Sequence, residues 1–250
     1  MSTRKLALFA GAGFLAGTAL GVAQAAEPWS FSANIGVVSN YLWRGLTQTD
    51  NQPAVQGGLD VAHASGFHAG TWVSNVDFGP DGANYEWDLY LGYDFTLPNE
   101  DFKLGLSTLY YAYPDSKDDI DFWEVGLSGG YKWFSAGVNY TVWGGKANED
   151  APFDAGDLYF SLGVEVPLQQ GFSIGLFGGY YDFDQDRVVV DFDAAGNAVT
   201  KSADYGHWGV KVSKEAGDFG TFSLSYEQND GRKELYDNDA KFWVGWKKEF

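Results

Sequence analysis

Cysteine is absent from all 250 residues, which excludes a disulfide framework and any thiolate metal or redox centre. Basic residues are few, 16 Lys and Arg against 34 Asp and Glu, and that balance excludes a nucleic-acid surface, which needs clustered positive charge. Histidine is scarce, with only His63, His68 and His207. No second long apolar run follows residue 22, and the mean hydropathy is −0.25, so a bundle of membrane helices is excluded as well.

The one apolar run lies at the N-terminus. Arg4 and Lys5 precede a glycine-rich apolar stretch over residues 6–22, and Ala23-Gln24-Ala25 supplies a small-x-small cleavage site. These features predict a secretory leader over 1–25 and a mature domain over 26–250. Loss of Arg4 and Lys5 with the leader moves the net charge from −18 to −20.

Aromatic residues are plentiful, with 10 Trp, 15 Tyr and 19 Phe, and their placement is periodic. Residues 85–95 read YEWDLYLGYDF. Tyr85, Trp87, Leu89, Leu91, Tyr93 and Phe95 alternate with Glu86, Asp88, Tyr90, Gly92 and Asp94, a period of two that makes a strand with one apolar face. That face is aromatic at both ends and aliphatic between, as in a strand that crosses a bilayer with its rings at the interfaces. A strand of a soluble sandwich or small barrel alternates in the same way, so the rest of the chain decides.

Segments 31–44, 55–63, 67–74, 102–111, 123–131, 134–142, 158–166, 172–180, 206–212, 221–227 and 240–250 repeat the pattern. Each is about ten residues long, enough for a tilted strand to cross the hydrocarbon core. Short connections at 64–66, 97–101, 132–133, 167–171 and 214–218 alternate with long ones at 46–54, 77–84, 114–121, 144–156, 182–203 and 228–239. A transmembrane barrel has this alternation because one rim carries periplasmic turns and the other extracellular loops. The sequence therefore predicts an all-β fold: a single antiparallel transmembrane β-barrel of about 12 strands, with short periplasmic turns and long acidic extracellular loops. Within the longest loop, 187–192 and 198–201 are placed to pair as a hairpin across Ala195-Gly196-Asn197. Read backwards by twos, the chain ends Phe250, Lys248, Trp246, Val244, Phe242; apart from Lys248, this is similar to the last strand of outer-membrane barrels.

Residues 39–58 read SNYLWRGLTQTDNQPAVQGG. This resembles the start of the TorF family of proteobacterial porin-type outer-membrane proteins, on Ser39, Asn40, Tyr41, Trp43, Arg44, Gly45, Thr47, Gln48, Pro53, Ala54, Gln56 and Gly57. Residues 70–77 and 86–93 are similar to it too. The resemblance implies an outer-membrane location and a porin-type architecture. It brings neither a catalytic residue nor an established substrate.

Candidate chemistry lies along the same frame. His63-Ala64-Ser65 is similar to the His-x-Ser of the outer-membrane phospholipase barrel, but it falls in a predicted periplasmic turn and lacks a third group to orient the imidazole. Glu86 and Asp88 share a face at a spacing that suits paired carboxylates. The predicted inner faces, however, carry mixed charge all round the wall: Arg44, Asp60, Glu86, Asp88, Lys103, Glu124, Asp157, Glu165, Lys211, Glu227 and Lys241. These are read as pore-lining residues with cross-barrel pairs, Glu86 and Asp88 forming part of a selectivity surface at the outer mouth. No catalytic, metal-binding or cofactor-binding set is predicted.

The acidic excess gathers in the long loops, at Asp115, Asp118, Asp119 and Asp121 and again at Asp182, Asp184 and Asp186. This reads as an anionic rim; carboxylates at alternate positions also suit Ca²⁺ or divalent ions shared with lipopolysaccharide phosphates. Such a rim concentrates cations. The expected function is passive diffusion of small hydrophilic solutes or cations through the outer membrane. Two alternatives stay open, a structural or adhesion barrel whose lumen is plugged by its own side chains, and an enzyme acting on outer-leaflet lipid. Expected partners are outer-membrane lipid and lipopolysaccharide, and the barrel-assembly machinery through the strand ending at Phe250.

Overall fold

A chain that alternates apolar and polar residues can satisfy its backbone in a bilayer only by closing the sheet on itself. The computed structural model shows that closure, and describes residues 28–99, 101–148, 153–184 and 188–250. The predicted leader lies outside the described residues. In chain order the strands are β1 (Trp29–Val38), the short β2 (Leu42–Trp43) and β3 (Leu46–Thr47), β4 (Ala54–His63), β5 (Phe67–Asn75) and β6 (Tyr85–Asp94). There follow β7 (Phe102–Ala112), β8 (Phe122–Tyr131), β9 (Phe134–Gly144), β10 (Leu158–Pro167) and β11 (Phe172–Asp182). The last are β12 (Val188–Phe192), β13 (Ala198–Lys201), β14 (Tyr205–Glu215), β15 (Thr221–Asn229) and β16 (Lys241–Glu249).

Twelve of these form a closed antiparallel barrel in the order β1-β16-β15-β14-β11-β10-β9-β8-β7-β6-β5-β4. β1 completes it, pairing with β4 through Ser32↔Asp60 and with β16 through Val37↔Trp246. The alternation of short and long connections holds, so one rim carries the short turns and the ends of the wall and the other carries all the long loops.

The period-two reading of residues 85–95 is met from Tyr85 to Gly92, and the strand ends at Asp94. Tyr85, Trp87, Leu89 and Leu91 are exposed on the outer surface, while Glu86 and Asp88 point inward and are buried. Across the wall, Leu59, Leu162, Leu176 and Leu224 make the outer face an aliphatic band. Exposed Trp87, Trp123, Trp143 and Trp208 edge it towards the long-loop rim, and Phe67, Phe102, Phe172 and Phe222 towards the short-turn rim. An exterior of this kind suits acyl chains between two interfacial belts, not water. No helix among the described residues is long and apolar enough to cross a membrane.

Two loops are informative. The hairpin expected in the longest loop forms as β12–β13, with a register shift between Val189 and Asp191, and Asp193 accepts the Ala195 and Asn197 N–H groups across its turn. The first strand, by contrast, needs a correction: it ends at Val38 and does not run to Arg44. Residues 39–53 leave the wall and turn into the lumen, because Leu42, Trp43 and Arg44 find buried partners there. The apolar core thus sits inside the barrel at the long-loop end, where Trp43 packs among Tyr111, Phe122, Tyr159, Tyr181 and Tyr205.

Candidate functional site

The inward segment is stapled by its own polar side chains. Asn40 Oδ1 accepts from Thr47 Oγ1 at 2.7 Å, Asn40 Nδ2 donates to Asn51 at 3.1 Å, and Thr49 Oγ1 donates to the Gln52 carbonyl at 2.6 Å. β2 and β3 pair through Trp43↔Leu46, leaving Arg44 and Gly45 as a two-residue tip with φ of 50° and 83°. Positive φ at both central residues is the signature of a type I′ hairpin. Gly45 is needed for a second reason, since a Cβ there would lie 2.5 Å from His207 Cβ.

This tip carries the guanidinium of Arg44 to the middle of the lumen. Nη1 and Nη2 donate to the two oxygens of Glu124 at 2.7 and 2.6 Å, and Nη1 also reaches the Tyr181 hydroxyl at 3.0 Å. The guanidinium carbon lies 4.0 Å from the Tyr159 ring centre and 4.4 Å from that of Trp43. Bidentate pairing between aromatic faces is the strongest way to hold an arginine out of water. Glu124 in turn accepts from Asn139 at 3.2 Å and Tyr181 at 3.3 Å.

Contacts continue around the wall. Glu86 accepts from Tyr41 of the inward segment, the plug of the lumen, and from Tyr113, both at 2.8 Å. On the far side Asn229 donates to the Gly45 carbonyl at 2.9 Å. His207 Nε2 lies 2.7 Å from the Tyr159 hydroxyl, and its Nδ1 lies 3.3 Å from Glu227. The Glu227 carboxylate makes no hydrogen bond, and neither does Asp88 Oδ1. Five carboxylates (Glu86, Asp88, Glu124, Asp157 and Glu227) are buried in this end of the barrel, and Glu124 is the one that meets the guanidinium of Arg44. Asp157, in the loop just ahead of β10, accepts backbone N–H groups from Phe153, Asp154 and Asp184. Burial nonetheless pushes its carboxyl up to about 6.

The eleven positions predicted to line the lumen separate into groups. Arg44 and Glu124 meet directly, Glu86 holds the same inward segment through Tyr41, and Asp88, Asp157 and Glu227 are buried. Asp60, Lys103, Glu165 and Lys211 lie half-buried nearer the short-turn rim, where Tyr90 donates to Asp60 and Ser173 donates to Glu165 at 2.8 Å. Lys241 pairs with Asp237 at the long-loop rim. The water-facing surface expected of Glu86 and Asp88 is corrected: they are 1% and 2% exposed, because the inward segment covers them.

Sequence reasoning missed the groups that complete the site, namely Tyr41, Tyr111, Asn139, Tyr159, Tyr181, His207 and Asn229. A signal was present. Tyr111, Tyr159 and Tyr181 occupy inward positions near the long-loop ends of β7, β10 and β11, and three tyrosines there suit a filled lumen better than a wet one.

The remaining candidates are accounted for locally. His63 Nδ1 lies 2.7 Å from Ser65 Oγ and accepts the Ser65 N–H at 3.2 Å, while the ring rests on Trp29. That is a turn closure, with the nitrogen a third orienting residue would need already taken. In the acidic loops Asp115 holds Asn84, and Asp121 holds the Tyr113 N–H and the Tyr110 hydroxyl. Among the described residues no group of three or more His, Asp or Glu is placed to hold a metal ion; Asp186 lies outside the described residues.

The barrel is similar to two solved porins. The KdgM porin is 11% identical, with 88% of this chain and 99% of that one covered and a TM-score of 0.53. The NanC porin is 11% identical, with 87% and 98% covered and a TM-score of 0.53. At these identities the likeness is one of fold. A comparison with curated proteins gives no match. Residues 22–249 match the family model described as "Bacterial protein of unknown function (Gcw_chp)", and the chain belongs to that family.

Proposed function

We propose that the protein is a porin-like channel of the outer membrane, closed in this conformation by its inward-folded first loop. One observation carries the reading: residues 39–53, the segment that enters the lumen, hang from the long-loop rim by their two ends and are held by non-covalent bonds, so they can leave the lumen without breaking the wall. Nearer the short-turn rim the inner face mixes small residues, Gly58, Gly105, Ser128, Gly163 and Ser213, with half-buried charges and the rings of Tyr90 and Phe177, which lie over Gly70 and Gly209. The TorF-type resemblance of residues 39–58 and the porin fold support the same reading. On it, the short-turn rim faces the periplasm and the acidic loops face outward, near lipopolysaccharide. The strand leading to Phe250, whose N–H bonds to the Ala33 carbonyl at 2.9 Å, is then the seam the assembly machinery closes. Small hydrophilic solutes and cations are the cargo.

A second reading, a barrel that never opens, is favoured by the aromatic packing around Trp43. Planar-bilayer recording separates the two. Wild-type protein is expected to give rare openings, and a variant with residues 40–52 replaced by a short Gly-Ser link a steady, larger conductance. A correctly folded shortened variant that stays silent across voltages and salts refutes the channel.

A further inference from the structure

The cage around Arg44 is built almost wholly by the wall. Glu124 from β8 is held in place by Tyr111, Asn139 and Tyr181 from β7, β9 and β11, at 3.5, 3.2 and 3.3 Å. The Tyr181 ring is stacked on Phe183 at 4.3 Å, and the Tyr159 hydroxyl is fixed by His207. These contacts lie within the wall; the second ring over the guanidinium, Trp43 at 4.4 Å, belongs to the plug and packs on Tyr111 and Tyr181 as well. A carboxylate with the Tyr159 face and the Tyr181 hydroxyl beside it is complementary to a planar cation with two parallel N–H donors. If the plug leaves, Arg44 and Trp43 leave together, while the bonds from Tyr111, Asn139 and Tyr181 to Glu124 stay within the wall. Glu86, Asp88, Asp157 and Glu227 are buried in the same end of the barrel.

We propose that this cage is a binding site for guanidinium-bearing solutes, that Arg44 occupies it as a tethered stand-in, and that such a solute opens the lumen by displacing it. The site stands on the wall geometry alone; the opening rests on the channel reading above.

The test uses the full chain with Arg44→Ala, refolded into lipid vesicles, and methylguanidinium as the probe. The thermal midpoint of the variant is expected to fall below that of the wild type. Millimolar methylguanidinium restores at least half of the loss, equal concentrations of methylammonium or sodium restore less, and Arg44→Ala with Glu124→Gln does not respond. No recovery, or recovery indifferent to Glu124→Gln, overturns the site. Should Arg44→Ala not refold, refolding is repeated with methylguanidinium present: the folded form returns if the site is real and fails to return if it is not. In bilayers, methylguanidinium should block sodium current through the loop-shortened variant, with the block weakened about tenfold by Glu124→Gln, a change of about 1.4 kcal/mol. Thermal rescue with a silent shortened variant keeps the site and refutes the channel; steady current with neither block nor rescue does the reverse.

Discussion

Arg44 and Glu124 stand 80 residues apart in the chain and meet through paired hydrogen bonds of 2.6 and 2.7 Å. Each is only 1% exposed, so neither charge has water to fall back on. Removing one partner leaves the other buried and uncompensated, which costs about 3–5 kcal/mol. Arg44→Ala and Glu124→Gln are each expected to lose stability on that scale in urea titrations of vesicle-embedded protein. The double variant Arg44→Met with Glu124→Leu should lose less than either, since no lone charge remains. Additive losses would show that the pair does not act as a unit.

Gly45 sets how the tip seats. With φ at 83° and His207 Cβ 2.5 Å from where a methyl would stand, Gly45→Ala suffers both backbone strain and a clash. Gly196 provides the control, because its φ of 84° is similar but nothing lies within 4 Å of its added methyl. Gly196→Ala should cost about 1–2 kcal/mol, the left-handed penalty alone. Gly45→Ala should cost about 1–3 kcal/mol more through overpacking and raise the frequency of bilayer openings. Equal effects would mean that the tip does not depend on its contact with His207.

Much of the fold was legible because a barrel strand writes its surroundings into every second residue. Trp87, Leu89 and Leu91 face out from the barrel, and Glu86 and Asp88 face inward, as the alternation requires. The loop rhythm was equally readable, being set by chain length alone. The plug was not, for a physical reason. Tyr41 and Trp43 continue the alternation of β1 past Val38, so period two cannot tell a strand that stays in the wall from a chain that turns into the lumen. Charge was misread for the same cause. Inward carboxylates such as Glu86 look pore-lining until the segment that covers them is known, and Arg44 meets Glu124 only through folding at long range.

The outer band gives a test of the membrane assignment that is independent of the lumen. Leu162 is 71% exposed near the middle of β10, and its neighbour Ser161 points inward. Leu162→Arg should destabilise the refolded barrel by about 2–4 kcal/mol in lipid vesicles, the cost of arginine on the lipid face near the midplane. Ser161→Arg, entering the polar lumen, should cost clearly less. A near-neutral Leu162→Arg would instead point to a face in contact with water.

Asp157 links the seating of residues 153–157 to pH. Its native carboxyl is pushed up to about 6 by burial, against about 3.9 in an unfolded chain. A raised native value means that the stabilising contribution is complete below about pH 4, where both states hold the proton. It is lost as pH climbs through about 6, where the native state must ionise a carboxyl shielded from water. The swing is at most about 3 kcal/mol, taking 1.36 kcal/mol for each pH unit. Asp237 and Glu234 pull the other way, since hydrogen bonds from Lys241 and Lys201 lower their values and their contribution fades in acid. The informative quantity is therefore the difference between wild type and Asp157→Asn. The thermal midpoint of the variant relative to wild type should rise between pH 4 and pH 7, even though an asparagine side chain there accepts fewer of the three backbone N–H groups. A difference that stays flat across that window would show that Asp157 is ionised throughout, with water reaching it from the loop side.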